Sequence, residues 1–177
     1  MIIVAVIAGY LYETVSTKLE ERAHPIKYQE FVEKYSSEYS VPKEVVYSVI
    51  NVESGFSVDA ESRKGAVGLM QITPDTFAWL MTKTGEGLNP KLLYDPETNI
   101  KYGTFFLRLL YIEFDENWSI SFAAYNAGRS RVKNDWMNNP EYIKDGVIIK
   151  LPYKETSDYV EKVGRNIEVY KRLYFSK

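Results

Sequence analysis

A glutamate stands where one apolar stripe calls for another aliphatic residue. Pro42 suits the first turn of a helix and Gly55 its stop, and between them Val45, Val46, Val49 and Ile50 repeat at helical spacing. Glu53 continues that face, at i+4 from Val49 and i+3 from Ile50. A carboxyl group on an apolar face is disfavoured in its charged form, and the negative end of the helix dipole acts in the same direction. Such a group holds its proton toward neutral pH, as a general acid must. A helix-end glutamate that swings into water fits the same pattern, and helix geometry alone leaves both readings open.

Composition narrows what other chemistry is available. With one histidine, His24, and no cysteine in 177 residues, a cysteine nucleophile, a disulfide framework, an iron–sulfur cluster and a Cys- or His-rich zinc site are excluded. No metal or cofactor is implied. A net charge of −2 without a Lys/Arg block speaks against a nucleic-acid partner. Aromatic content is high, with 15 Tyr, 8 Phe and 3 Trp, which suits a polar-rimmed core or a groove that stacks flat, hydroxyl-rich ligands.

Downstream polar groups could serve such a groove. In Ser62–Thr76, SRKGAVGLMQITPDT, Gly65 and Gly68 permit tight turns, and Thr73-Pro74 opens a helix with an N-cap hydroxyl and a first-turn proline. Gln71 lies between these signals; its amide both donates and accepts, which suits sugar hydroxyls and N-acetyl groups or the tying down of its own loop. In Ala123–Gly128, AAYNAG, small residues flank Tyr125 and Asn126, a pair that can face a ligand or form a buried hydrogen bond. Asp59 and Glu61 follow Glu53 closely enough to admit a two-carboxylate hydrolase. Arg129, Arg131 and Lys133 can meet an anionic ligand or form a solvated face, and Gly85-Glu86-Gly87 reads as a turn.

The elements that must position these groups are helical. The pattern predicts helices over 26–39, 42–53, 74–83, 96–113, 118–126, 130–137 and 155–174, with Val147–Leu151 as an extended piece, so the fold class is all-α. Met1–Tyr12, MIIVAVIAGYLY, is uncharged and apolar; as a helix it spans about 18 Å against a hydrocarbon core of roughly 30 Å. It is too short to cross a membrane. The stub of a longer anchor, an interfacial helix and a packing helix all remain open, and residues 1–12 are a candidate membrane tether. Glu13–Lys27 is polar and reads as a linker, with His24-Pro25 at the boundary, giving an N-terminal segment over 1–25 and one domain over 26–177.

Taken together, Glu53-Ser54-Gly55-Phe56, Ser62 with Gly65-Ala66, Gly68-Leu69-Met70-Gln71, Pro74 and Thr76, Ala124–Gly128, and Glu155-Thr156 with Tyr159-Val160 resemble, in order and spacing, the motifs of the soluble lytic murein transglycosylase (SLT) family. The resemblance covers about 26–177 and includes Asp95–Ile100 with Gly103. It implies a lysozyme-like all-α domain with a substrate groove. The resemblance implies that this domain cleaves the β-1,4 bond between N-acetylmuramic acid and N-acetylglucosamine in peptidoglycan and leaves 1,6-anhydromuramoyl ends. It implies Glu53 as the single catalytic acid and base, with the substrate's N-acetyl group and C6 hydroxyl completing the chemistry. Ser62 and Tyr125 are then expected to orient Glu53 or its proton, Gln71 and Asn126 to contact N-acetylated sugars, and Met70 to wall the groove. Glu155 either touches the sugar or caps its helix, and Tyr159 is placed in the groove with Tyr125. The resemblance further implies glycan strands as partner, action in the cell envelope outside the cytoplasmic membrane, and a monomer. A lysozyme-type hydrolase and a non-catalytic peptidoglycan-binding module are the alternatives.

Overall fold

Three of the helix starts are written by side-chain caps. Thr73 Oγ1 accepts from the Thr76 amide at 3.2 Å, Asp95 Oδ2 from Thr98 at 2.8 Å and Asn117 Oδ1 from Ile120 at 3.1 Å, the first two ahead of a first-turn proline. In the computed structural model residues 2–176 are described, with backbone only for 2–8. Among them lie α1 (Ile2–Ala23), α2 (Gln29–Tyr39), α3 (Lys43–Ser54), α4 (Pro74–Thr84), α5 (Pro96–Glu113), α6 (Trp118–Ala127), the short α7 (Arg129–Arg131) and α8 (Lys154–Tyr170). A 3-10 turn spans Pro90–Tyr94, and π-helical turns at Val132–Trp136 and Lys171–Phe175 follow α7 and α8. The two-residue strands β1 (Ile143–Lys144) and β2 (Val147–Ile148) pair antiparallel, with Ile143 opposite Ile148.

The core is built where α3 packs on α8, α8 on α6, α6 on α5 and α5 on α2. Val46, Ile50, Leu107, Leu110, Val163 and Tyr170 are fully enclosed there. Tyrosine contributes largely to this core, since Tyr47, Tyr102 and Tyr170 are among its largest buried side chains.

Several expected boundaries shift for identifiable reasons. The second helix starts at Gln29, because Tyr28 takes a left-handed conformation at φ 55°. The stretch 130–137 divides between α7 and a π turn, and 155–174 between α8 and its own. Of Val147–Leu151 only Val147 and Ile148 form strand. The polar stretch read as a linker continues α1 to Ala23, as no Pro or Gly interrupts it. Its end is clamped to the domain: Arg172 binds both carboxylate oxygens of Glu20 at 2.9 Å, Asn51 donates to the Ala23 carbonyl at 2.8 Å, and Tyr174 donates to the His24 carbonyl at 2.9 Å. Much of the stretch expected to tether, residues 1–8, has side chains outside the described residues; Tyr10, Leu11 and Tyr12 beyond it are exposed. Among the described residues no helix is long and apolar enough to cross a membrane.

Candidate active site

The last turn of α3 ends under Gly55, which is left-handed at φ 57°, and Glu53 projects from that turn, partly buried. Ser54 beside it ties α3 to the loop before α4 through Oγ, which donates to the Leu69 carbonyl at 2.8 Å. On the other side stands α8, whose buried Tyr159 donates its hydroxyl to Glu53 Oε1 at 2.7 Å across 106 residues of chain. Burial is the leading influence on Glu53 and pushes its pKa up to about 7, against the Tyr159 hydrogen bond and the Lys162 charge, which both act downward. Burial, and next the Glu53 charge, raise the phenols of Tyr125 and Tyr159 well above their usual range, so both stay protonated.

The 67–72 loop is organised from within. Asn99 of α5, 1% exposed, donates to the Val67 carbonyl at 2.9 Å and the Leu93 carbonyl at 2.7 Å and accepts from the Met70 amide at 2.7 Å. A Cβ on Gly68, which sits at φ 78°, would collide with the Asn99 amide. Gln71 is left-handed at φ 49° without being glycine, a conformation kept by the bonds around it. Val67 bridges to Ile72 on one side and to Glu61 on the other.

A cavity of about 290 Å³ is lined by Glu53, Ser62, Gln71, Tyr125, Asn126 and Glu155, which are all the expected site residues except Met70 and Tyr159, the latter buried behind Glu53. Several of them use their polar atoms differently from expectation. Tyr125 donates to the Met70 carbonyl at 2.7 Å and Ser62 Oγ accepts from the Ala66 amide at 3.0 Å; the group hydrogen-bonded to Glu53 is Tyr159. Gln71 commits its amide nitrogen to the Ala60 and Gly68 carbonyls, both at 3.0 Å, which leaves its oxygen to accept. Asn126 Oδ1 accepts from Thr156 at 2.8 Å, leaving its amide donors for the cavity. Thr156 is therefore a brace for Asn126, while Glu155 is exposed in the first turn of α8 and lines the cavity. Met70 does not wall the groove: it is fully buried, and a Cβ on Gly103 would strike its side chain, so the glycine makes room for it in the core. Asp59 and Glu61 are exposed and are not among the lining residues of this cavity.

Asn99 and the donor role of Tyr159 escape sequence reasoning. Asn99 carries a signal, an amide between Pro96 and Ile100 on the inward face of a helix, but its partners lie up to 32 residues away. Arg63 and Lys64 line the cavity from an exposed loop and carry no motif of their own.

Comparison with known proteins agrees with this geometry. A family model for the transglycosylase SLT domain matches residues 30–147. The soluble lytic murein transglycosylase of Escherichia coli K12 is 37% identical over 90% of this chain and 24% of its own length. The membrane-bound lytic murein transglycosylase C of Edwardsiella ictaluri is 28% identical over 95% of this chain and 52% of its own. The crystal structure of the 70 kDa soluble lytic transglycosylase of E. coli superposes with a TM-score of 0.79 at 32% identity, covering 95% of this chain and 27% of that one. An inactive glutamate-to-glutamine mutant of the Pseudomonas aeruginosa lytic transglycosylase Slt gives 0.75 at 28% identity, covering 84% and 24%. The chain thus spans about a quarter of the length of the soluble relatives.

Proposed function

The chain belongs to the transglycosylase SLT domain family, and on that premise we propose that it cleaves the β-1,4 bond between N-acetylmuramic acid and N-acetylglucosamine as a lytic transglycosylase, a lyase of peptidoglycan. The observation that carries this reading is Glu53. It is the one carboxyl among the described residues with a pKa raised toward neutrality, it opens onto the cavity, and it is oriented by a tyrosine rather than neutralised by a cation. Protonated Glu53 gives its proton to the leaving oxygen as the C1–O4 bond breaks. The muramoyl N-acetyl group supports the developing positive charge at C1. Its C6 hydroxyl then forms the C1–O6 bond and returns a proton to Glu53, so the product is a 1,6-anhydro end and no water is consumed.

The supporting roles follow from the free valences. The uncommitted amide of Asn126 and oxygen of Gln71 support a role in holding N-acetylated sugars, Tyr125 and Ser62 shape the cavity beside the acid, and Glu155 offers an acceptor at its rim. In this reading residues 26–177 form the catalytic domain, a monomer that acts on glycan strands in the cell envelope. The uncharged segment Met1–Tyr12 supports a tether to the membrane, carried by the 1–25 segment. Mass spectrometry of digested peptidoglycan tests the reaction class. Anhydromuramoyl products, lighter by one water than hydrolysed ones, are expected. Reducing ends would make the protein a hydrolase, and absence of cleavage at any pH would make it a binding module.

A further inference from the structure

Successive carbonyls of the 67–72 loop each receive a side-chain donor. Val67 accepts from Asn99 at 2.9 Å, Gly68 from Gln71 at 3.0 Å, Leu69 from Ser54 at 2.8 Å and Met70 from Tyr125 at 2.7 Å. The last three donors belong to the groove: Gln71 and Tyr125 line the cavity, and Ser54 follows Glu53 in α3. Asn99 stands apart from them, enclosed on α5 behind the loop and not among the lining residues of the cavity. We propose that Asn99 is a positioning residue for glycan binding: it clamps the loop from behind and so holds Gln71 in the conformation that keeps its oxygen available to the substrate. This rests on the reading of the groove as a peptidoglycan site.

The clamp asks for the chemistry of an asparagine. The Asn99 nitrogen gives its hydrogens to the Val67 and Leu93 carbonyls, and its oxygen takes the Met70 amide, so donors and acceptor are all used and their direction is forced by the backbone groups they meet. An aspartate would turn an acceptor toward both carbonyls, and a leucine of similar size would remove the partner of all three groups. The fit is equally close from the loop side. A Cβ on Gly68 would stand 2.3 Å from the Asn99 amide nitrogen, and one turn along the same face of α5 the missing Cβ of Gly103 admits the Met70 side chain. Backbone and side chain of Met70 are thus both seated on α5.

What the clamp sustains is the backbone of the next residue. Gln71 is left-handed at φ 49°, a conformation that a residue with a side chain keeps only where its surroundings fix it. The peptide leading into it is fixed at its carbonyl by Tyr125, and the Met70 amide before that by Asn99. Without Asn99 the backbone can relax to an ordinary conformation, and the Gln71 nitrogen then leaves the Ala60 and Gly68 carbonyls that now aim the amide. The acid is set by other means, since burial and the Tyr159 hydroxyl on α8 act on Glu53. Asn99 therefore governs how strands are held and not the proton that cuts them.

The test is equilibrium binding of intact glycan strands to the full chain in a Glu53→Gln background, where strands stay uncut, together with kcat, KM and the pH profile of the chain that keeps Glu53. Asn99→Ala is expected to weaken binding and raise KM about tenfold, the loss of one aimed hydrogen bond, while the alkaline limb of the pH–rate profile stays in place. Gly68→Ala presses on the same amide from the loop side and is expected to act likewise by a smaller factor; it carries the test if Asn99→Ala does not fold, and cooperative thermal melts identify the folded variants. In a Gln71→Ala background Asn99→Ala is expected to weaken binding no further. Unchanged affinity in folded variants would leave Asn99 a purely structural residue and overturn the proposal. Full additivity with Gln71→Ala, or a loss confined to kcat or to the position of the limb, overturns it as well. A wild type that binds strands but releases no anhydromuramoyl ends overturns the catalytic reading alone, because the binding measurements do not depend on cleavage.

Discussion

Glu53 and Glu113 are both withdrawn from water, and their surroundings send them in opposite directions. Around Glu113, burial would raise the pKa, but Arg129 and Lys133 bind its oxygens and bring it below the usual carboxylate range. Around Glu53, burial acts with only a phenol in hydrogen-bond contact and a more distant Lys162, and the pKa rises to about 7. The difference lies in what was placed beside each carboxyl. Cations within hydrogen-bond reach make a staple between α5 and the turn after α6, whereas a neutral donor from α8 makes a proton carrier.

Removing the acid should break this contrast most severely. Glu53→Gln is expected to lower glycan cleavage by roughly 10²–10⁴-fold while circular dichroism and strand binding persist, and cleavage at the wild-type rate would remove Glu53 from the mechanism. Next in size is the donor. Tyr159→Phe deletes a hydrogen bond that favours the carboxylate, so the pKa of Glu53 should climb further and the alkaline limb of the pH–rate profile, near pH 7 in the wild type, should move to higher pH. We expect kcat to fall about tenfold as the carboxyl loses its orientation; a profile whose limb stays in place would show that Tyr159 does not act on the proton.

Stability sharpens the comparison. A carboxyl whose folded pKa is raised favours the fold fully below its unfolded pKa near 4.5, and that contribution is lost as pH rises through about 7. Glu53→Gln should therefore match the wild type near pH 5 and exceed it by on the order of 2–3 kcal/mol at pH 8, which thermal melts at the two pH values will show. Glu113 has the opposite sign: its depressed pKa contributes stability above the unfolded value, lost as pH falls through the folded one. Glu113→Gln is expected to cost about 1–2 kcal/mol at pH 7 and progressively less on acidification, with cleavage retained. Equal pH dependence of the two variants would mean that the surroundings do not separate them.

The parts of the molecule that sequence reveals are those decided locally. Thr73-Pro74, Asp95-Pro96 and Asn117 mark helix starts because a cap is satisfied within three residues, and Glu53 stands out because the Val/Ile stripe of α3 defines its face. Orientation inside the 67–72 loop is decided at long range. Met70 turns into the core because Asn99 holds its amide and Gly103 clears space, and Tyr125 turns toward Met70 because that carbonyl is presented to it across 55 residues of chain. The expected site residues other than Met70 and Tyr159 share one cavity, whereas the partner of each hydroxyl depended on which backbone groups the fold left unmatched. The continuation of α1 was hidden for another reason: charge marks a segment as solvated, and a solvated segment can still be a helix.

One consequence of the Tyr159–Glu53 bond concerns the order of synthesis. Glu53 leaves the ribosome more than a hundred residues before the tyrosine that holds it. Until α8 packs along α3 and α6, the carboxyl is hydrated and carries the acidity of a free glutamate, ionised at neutral pH and unable to protonate a leaving group. A nascent or C-terminally clipped chain would thus lack the protonated acid that the proposed reaction requires. The packing of α8 that completes the core also sets the acidity of Glu53, so under the proposed reaction folding itself would serve as the safety catch.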